Sequence, residues 1–375
     1  MQINLRSTRV MIENEIRKAD ITIKNGKISK ILEYKTLPYC KNMANALILP
    51  GFIDLHSDAI EKEIEPRPGA IFPIEEAILD LDKKLSIAGI TTMFHAVAFE
   101  TVVGGKIRSA EISEKIVRAV KSLKEKLSTN NMVHLRYDIA ATESFNTVKN
   151  LIEEGYVDLF SLMDHSPGQG QFKSFDKWKK YYSGAYNLDE NELKKLKEKK
   201  LQKNEDNIVE LIKTAKAHQI KIASHDDDTV EKVDIIKKYG ITISEFPLSV
   251  EVAEKAKEYG IMTGMGAPNV VRNGSQCGNI SAKELIKRGL CDYLCSDYHP
   301  NSMLKAVYTI NRDLGIPIEE AFQIITSNPS KAAGLSEYGE IKEGKKGDIV
   351  AVHDSNIYPE IILTICNGKI VYSKS

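Results

Sequence analysis

Eight short apolar runs recur through the middle of this chain, and most end on polar residues able to bind a metal ion or a proton. They are LILPGFIDLHSD, ITTMFHAVAF, MVHLRYDIA, VDLFSLMDH, IKIASHDD, ITISEFPLS, IMTGMGAPN and CDYLCSDYH. Amphipathic stretches with helical spacing, such as EEAILDLDKKLSIAG, VEKVDIIKKYG and SAKELIKRG, lie between most of them. Strands alternating with helices predict parallel βαβ units, and eight such units are the count of a (β/α)8 barrel. In such a barrel the C-terminal strand ends carry the active site. His56, Asp58, Asp138, His165, His225 and Asp297 fall at those ends.

The two ends of the chain read differently. Residues 1–48 hold INLRSTRVMI and ADITIKNGKISKIL, with Asn25-Gly26 as a hairpin turn, and residues 335–375 repeat the style around Asn367-Gly368. Both are β-rich, which predicts one small discontinuous β-sandwich domain flanking a catalytic barrel at 49–334. Residues 171–217 interrupt the barrel rhythm with a Lys- and Glu-rich helical stretch carrying the only Trp. It reads either as a solvated helical hairpin or as a lid or subunit contact, which leaves a homo-oligomer open.

Composition removes several classes of function. Fifty-two basic residues balance 52 acidic ones, so the excess charge of a nucleic-acid binder is missing. No apolar run approaches the roughly 20 residues that span a bilayer. The N-terminus lacks the apolar core of a signal peptide, and the five cysteines are odd in number with no CxxC. A cytoplasmic protein with reduced thiols is expected.

Several segments carry candidate chemistry. His56 and Asp58, two apart on a strand, point to the same side and can share one cation. His165 and His225 repeat that position on later strands, and Asp297 ends the last one. Imidazoles mixed with carboxylates suit zinc, iron(II) or manganese(II), as one or two divalent ions. The three consecutive acids Asp226, Asp227 and Asp228 need solvent, a cation or helix amides to offset their repulsion, with helix capping by Asp228 or Thr229 as the plainer reading. The loop MGAPNVVRNGSQCGN offers Arg272, Asn269, Ser275 and backbone N–H groups to an anion, and Arg67 and Arg136 add positive charge. His299 can reach the site from the loop after Asp297. His95 and His134 read as core or near-site residues, and His218 and His353 as remote ones.

PGFIDLH, the strand-end histidines, the last-strand Asp297 and the terminal β segments resemble the amidohydrolase superfamily. HSDAIEKEIEPRPG, SLMDHSPGQGQF, ASHDDDT, MGAPNVVRNGS and SDYHPNSML are similar, more closely, to its PhnM-type branch, the α-D-ribose 1-methylphosphonate 5-triphosphate diphosphatases of phosphonate breakdown. The resemblance spans nearly the whole chain. The usual H-x-H is here His56-Ser57-Asp58, a form expected in that branch. No counterpart of the bridging carboxylated lysine is evident at SLMDH, so Asp138 is the candidate bridging carboxylate, with Glu245 as a further candidate ligand. The resemblance implies water attack on the α-phosphorus, a ribose 5-phosphate product and diphosphate. His56, Asp58, His165 and His225 would hold metal and Asp297 would be the general base and a further ligand. His299 would serve the leaving group, and Arg67, Arg136, Arg272, Asn269 and Ser275 would bind phosphate. A hydrolase of cyclic amides or N-acyl groups, and a non-catalytic scaffold, are the competing readings.

Overall fold

The computed structural model describes residues 1–101, 107–170, 174–186, 188–274, 279–354 and 358–374, the side chains of 185 and 186 excepted. The eight runs form eight parallel strands, paired in chain order: Phe52–Ser57, Ile90–Phe99, Asn130–Asp138, Leu159–Met163, Lys221–His225, Ile243–Glu245, Met262–Gly266 and Tyr293–Cys295. A parallel bridge between Ser57 and Asp297 joins the first strand to the end of the last. The Asp58 and Asp297 N–H groups, donating to the carbonyls of Asp297 and His56 at 2.9 Å, lock that junction. At the opposite end the N–H groups of Ile53 and Leu294 donate instead to the carbonyls of Ile325 and Ile324. The expected (β/α)8 barrel is therefore closed at its mouth and wedged at its base.

Strand composition follows from burial on both faces. All ten residues of Ile90–Phe99 are buried, which is why the run is almost continuously apolar rather than alternating. Inward-facing Ile53, Leu55, Phe94, Leu159, Ala223, Ile243 and Tyr293 fill the barrel. A larger core lies between the strands and the surrounding helices. Helix Ile74–Ala88 illustrates the pattern: Pro73 precedes it, Glu75 and Glu76 occupy its positive first turn, and Ile78, Leu81 and Leu85 face the barrel. It stops at Gly89, whose φ of 77° suits glycine and whose N–H closes back on Leu85.

Gly264 shows how tight the interior is. A Cβ there would lie 2.3 Å from Cζ of Tyr293, a ring with no exposed surface. Gly264→Ala is expected to lower unfolding stability by about 1–3 kcal/mol, the usual cost of overpacking, read from the midpoint of a denaturant titration.

The terminal strands form a second sheet. Gln2–Ile12, Glu15–Lys24, Lys27–Glu33, Lys41–Asn42 and Leu47–Pro50 come from the beginning of the chain, and Ile349–His353, Glu360–Cys366 and Lys369–Ser373 from the end. Leu47–Pro50 joins the two sets, parallel to the first strand and antiparallel to Ile349–His353. Its continuation through Gly51 leads straight into the barrel. Both Asn-Gly turns have positive φ at each residue, as two-residue hairpins require. Residues from both chain ends, including Leu5, Ile21, Ile28, Ile349 and Leu363, share one core, so the sheet closes over its own apolar face.

The stretch expected as an insertion separates into two parts. Helix Glu205–Ala217 buries Leu211, Ile212 and Ala215 in the main core and is an ordinary barrel helix. The helices Phe175–Tyr186 and Glu190–Lys200 are the additional piece. They share a small core of Trp178, Tyr182, Leu188, Leu193 and Leu196. Among the described residues no helix is long and apolar enough to cross a membrane.

Candidate active site

At the barrel mouth a cavity of about 510 Å³ is lined by His56, Asp58, His165, His225, Asp226 and Asp297, with Arg108, Arg136 and Arg272 on its walls. Its floor is built by strand ends that leave regular geometry. Asp226, Phe246 and Asp297 follow the fifth, sixth and eighth strands with φ of 52°, 56° and 58°, values that cost non-glycine residues energy. Each is held by the next strand in line, Asp226 N–H donating to the Glu245 carbonyl and Phe246 N–H to that of Gly264. Asp54 Oδ1 accepts from the N–H groups of His56 and Ser296, tying the first strand to the eighth beneath the site.

Glu245 orients His56. Its Oε2 lies 3.1 Å from His56 Nδ1, and Tyr293 OH donates to its Oε1 at 3.4 Å. Accepting the Nδ1 proton leaves Nε2 of a neutral imidazole with its electron pair. Burial, reinforced by Arg136 and His225, holds His56 well below the ordinary histidine range, and burial likewise lowers His225. His165 is set by Glu100, whose Oε1 lies 3.0 Å from its Nδ1. Arg136 Nη2 donates to His225 Nε2 at 3.2 Å, so a cation in the cavity competes with Arg136 for that electron pair.

The donor set suits a metal ion. His56, His225 and Glu245 bring ligand atoms within 4.8 Å of one another, as do His165, His225 and Asp226. Asp58 Oδ1 is buried without a hydrogen bond, which is costly unless a further partner binds there, while His225 Nδ1 and Asp226 Oδ2 face each other at 3.2 Å. Asp297 has a different environment: burial, with the charge of Asp58 beside it, pushes its carboxyl up to about 7.

The other expected residues divide. Arg272 and Asn269 line the cavity; Arg272 Nη1 donates to Tyr298 OH at 3.0 Å, while the Asn269 amide bridges the Ile280 carbonyl and the Ala282 N–H. Arg67 is exposed in a turn outside the cavity lining, and its expected place is taken by Arg108, which grips Glu61 and reaches Asp58 at 3.3 Å. His299 is exposed, lies outside the lining and starts a helical segment through its carbonyl. Ser275 lies outside the described residues. Asp138 is fully buried and accepts from Lys200 Nζ. The three adjacent aspartates have separate tasks. Asp226 faces the cavity, Asp227 accepts from Ser224 and Ser244, and Asp228 accepts from Gly170 N–H, while Thr229 caps the following helix. His95 is paired with Asn131 and His134 with the Leu55 carbonyl, both in the interior.

Glu100, Arg108 and Lys200 were not singled out from the sequence. Glu100 directly follows the second strand, so the strand-end rule applied to ITTMFHAVAFE would have found it. Arg108 and Lys200 have no comparable local signal.

A barrel of this kind, with histidines and carboxylates converging at its mouth and a β sheet made from both termini, defines a metal-hydrolase class. The amidohydrolase family model matches residues 189–371, and the chain is 33% identical to the α-D-ribose 1-methylphosphonate 5-triphosphate diphosphatase of Escherichia coli (strain K12), over 98% of this chain and 100% of that one. The chain belongs to the amidohydrolase family. Among solved structures it is similar to a β-aspartyl dipeptidase from Fervidobacterium islandicum AW-1, with TM-score 0.68 and 16% identity over 100% of this chain and 97% of that one. It is similar also to the dihydropyrimidinase from Brevibacillus agri NCHU1002, with TM-score 0.67 and 11% identity over 100% and 95% of the two chains. At such identities these two structures speak to the fold alone.

Proposed function

We propose that this hydrolase cleaves the triphosphate of α-D-ribose 1-methylphosphonate 5-triphosphate, leaving the 5-phosphate and diphosphate, as a step of phosphonate breakdown. The observation that carries the reading is the joining, in one cavity, of a histidine–carboxylate floor with the guanidinium groups of Arg136 and Arg272. A carbonyl substrate has no need of such cations, whereas a triphosphate carries several negative charges. The 33% identity to the Escherichia coli diphosphatase over nearly the entire length supports the same substrate class.

His56, Asp58, His165 and His225, with Asp297 as a further oxygen donor, would hold a divalent ion, zinc, manganese or iron(II). When bound, such an ion offsets phosphate charge and makes a nearby water more acidic. Asp297 takes the proton as the water oxygen bonds to the α-phosphorus. The bond from that phosphorus to the bridging oxygen breaks, and its electron pair leaves with diphosphate. Burial raises this carboxyl above an exposed aspartate, which makes it the better proton acceptor, and a bound cation offsets part of that rise. Arg136 and Arg272 orient the phosphate oxygens, the latter from the loop that also carries Asn269.

Turnover of ribosyl and nucleoside triphosphates, set against hydantoins and acyl amino acids, tests the reading. Release of diphosphate from the triphosphates alone is expected, and turnover of the amides alone would replace this reading with the amide one. Arg272→Ala is expected to weaken triphosphate use by roughly 1.5–3 kcal/mol, the scale of a hydrogen bond to a charged group, or one to two decades in kcat/KM. Arg272→Lys recovers part of this, because an ammonium keeps the charge and loses the fork. The ribosyl monophosphate serves as control, and an equal effect on both substrates would mean that Arg272 does not read the phosphate tail.

A further inference from the structure

Beside the cavity lies a second set of ligand-type groups that shares only His165 with the proposed ion site. Glu100, Asp138 and His165 bring donor atoms within 4.8 Å of one another, all buried. Two carboxylates so close and so dry repel strongly unless a cation lies between them. The chain already supplies one. Lys200, the last residue of the additional helix Glu190–Lys200, has no exposed surface; its Nζ donates to Glu100 Oε1 at 2.8 Å and to Asp138 Oδ2.

Three donors converge on Glu100 Oε1: Lys200 Nζ, Tyr182 OH at 2.6 Å and the His165 ring at 3.0 Å. Lys200 cannot easily withdraw. Its carbonyl accepts from Ser166 Oγ at 2.6 Å, and its helix is packed through Leu193 and Leu196 against Trp178 and Tyr182. Trp178 Nε1 in turn donates to the His165 carbonyl at 3.0 Å, so the same two-helix piece grips the strand end that carries His165. A divalent ion placed among Glu100, Asp138 and His165 would meet an ammonium at contact distance in a site screened from water, and like charges there repel far more than in solvent.

We propose that the Lys200 ammonium fills the cation position formed by Glu100, Asp138 and His165, so that the centre takes a single divalent ion, on the His56–His225 side. The count rests on the metal reading of the site given above; the assignment of Lys200 does not. In this arrangement Lys200 is a positioning residue. It neutralises Asp138 and, together with Arg108 Nη1 at 3.5 Å from Oε2, Glu100, and through Glu100 it fixes the His165 ring. The two additional helices are then part of the active centre, as the carrier of its fixed charge.

The test is metal stoichiometry. Protein stripped with chelator, reloaded with excess Mn²⁺ or Zn²⁺ and desalted is expected to hold one ion per chain in the wild type and in Lys200→Arg, and two in Lys200→Met. The Mn²⁺ form of the wild type should give the six-line spectrum of an isolated ion in electron paramagnetic resonance. Lys200→Met should also unfold at lower temperature than wild type in chelator and recover more than wild type when Mn²⁺ is added, because the ion then replaces the ammonium. Two ions per wild-type chain, or an exchange-coupled spectrum, overturn the inference even if no Lys200 variant folds. One ion in both wild type and Lys200→Met overturns the role of Lys200 and leaves the metal reading standing. No ion in wild type but one in Lys200→Met supports the role of Lys200 and removes the metal reading instead.

Discussion

His225→Ala is expected to lose tightly bound divalent metal and, with it, measurable turnover. His225 belongs to both of the donor groups at the cavity floor, His56–His225–Glu245 and His165–His225–Asp226, so its removal takes a ligand atom from each. Loss of the residues that merely orient a metal ligand typically costs 10–100-fold in affinity, and loss of the ligand itself should exceed that. His56→Ala should behave similarly. Chelator should inactivate the wild type and added Mn²⁺ or Zn²⁺ should restore it, while neither variant recovers. Metal per chain and residual activity, measured on folded protein, check the expectation, and full activity in the stripped wild type would refute it.

Asp297→Asn should bind metal and substrate yet lower kcat by about 10²–10⁴, the usual contribution of a general base. Its carboxyl is pushed up to about 7 by burial and by Asp58. A base must be ionised to act, so wild-type activity is present above the carboxyl's pKa and is lost as pH falls through it. A bound cation stabilises the carboxylate and moves that acid limb below 7. In Asp297→Asn the limb should vanish along with most of the rate, whereas a purely structural role would lower activity and leave the limb in place. Metal content is measured alongside, because Asp297 is also a proposed ligand. Wild-type turnover in a folded, metal-loaded Asp297→Asn protein would remove it from the mechanism.

Most of the barrel, and the histidines and aspartates that line the candidate site, were legible in the residues. A run such as IKIASH ends a strand wherever its apolar stretch meets His225, and the βα rule puts that end at the mouth. His56, Asp58, His165, His225 and Asp297 all reach one cavity for that reason. The same rule covers Glu100, although ITTMFHAVAFE carries no histidine at its end to mark it. Arg67 went the other way. Its charge and its flanking prolines said nothing about direction, and the turn it occupies leaves it exposed, while Arg108 enters the cavity wall.

What the sequence determined by itself is what depends on neighbours within a few residues: the alternation of apolar runs and amphipathic helices, the Asn-Gly hairpins, the glycine stop at Gly89 and the placing of polar residues at strand ends. These follow from backbone sterics and from the period at which side chains are buried, which a local pattern records. Only the tertiary structure decided which charges meet. Lys200 comes to Glu100 across 100 residues and to Asp138 across 62, and Arg136 comes to His225 across 89. Within its own stretch, KKLKEKK, Lys200 is one of five lysines that read as a solvated face. Its ammonium lies 5.4 Å from the centre of the Tyr182 ring and is held by two distant carboxylates. Coulomb interaction and desolvation act through space, so no window along the chain carries them.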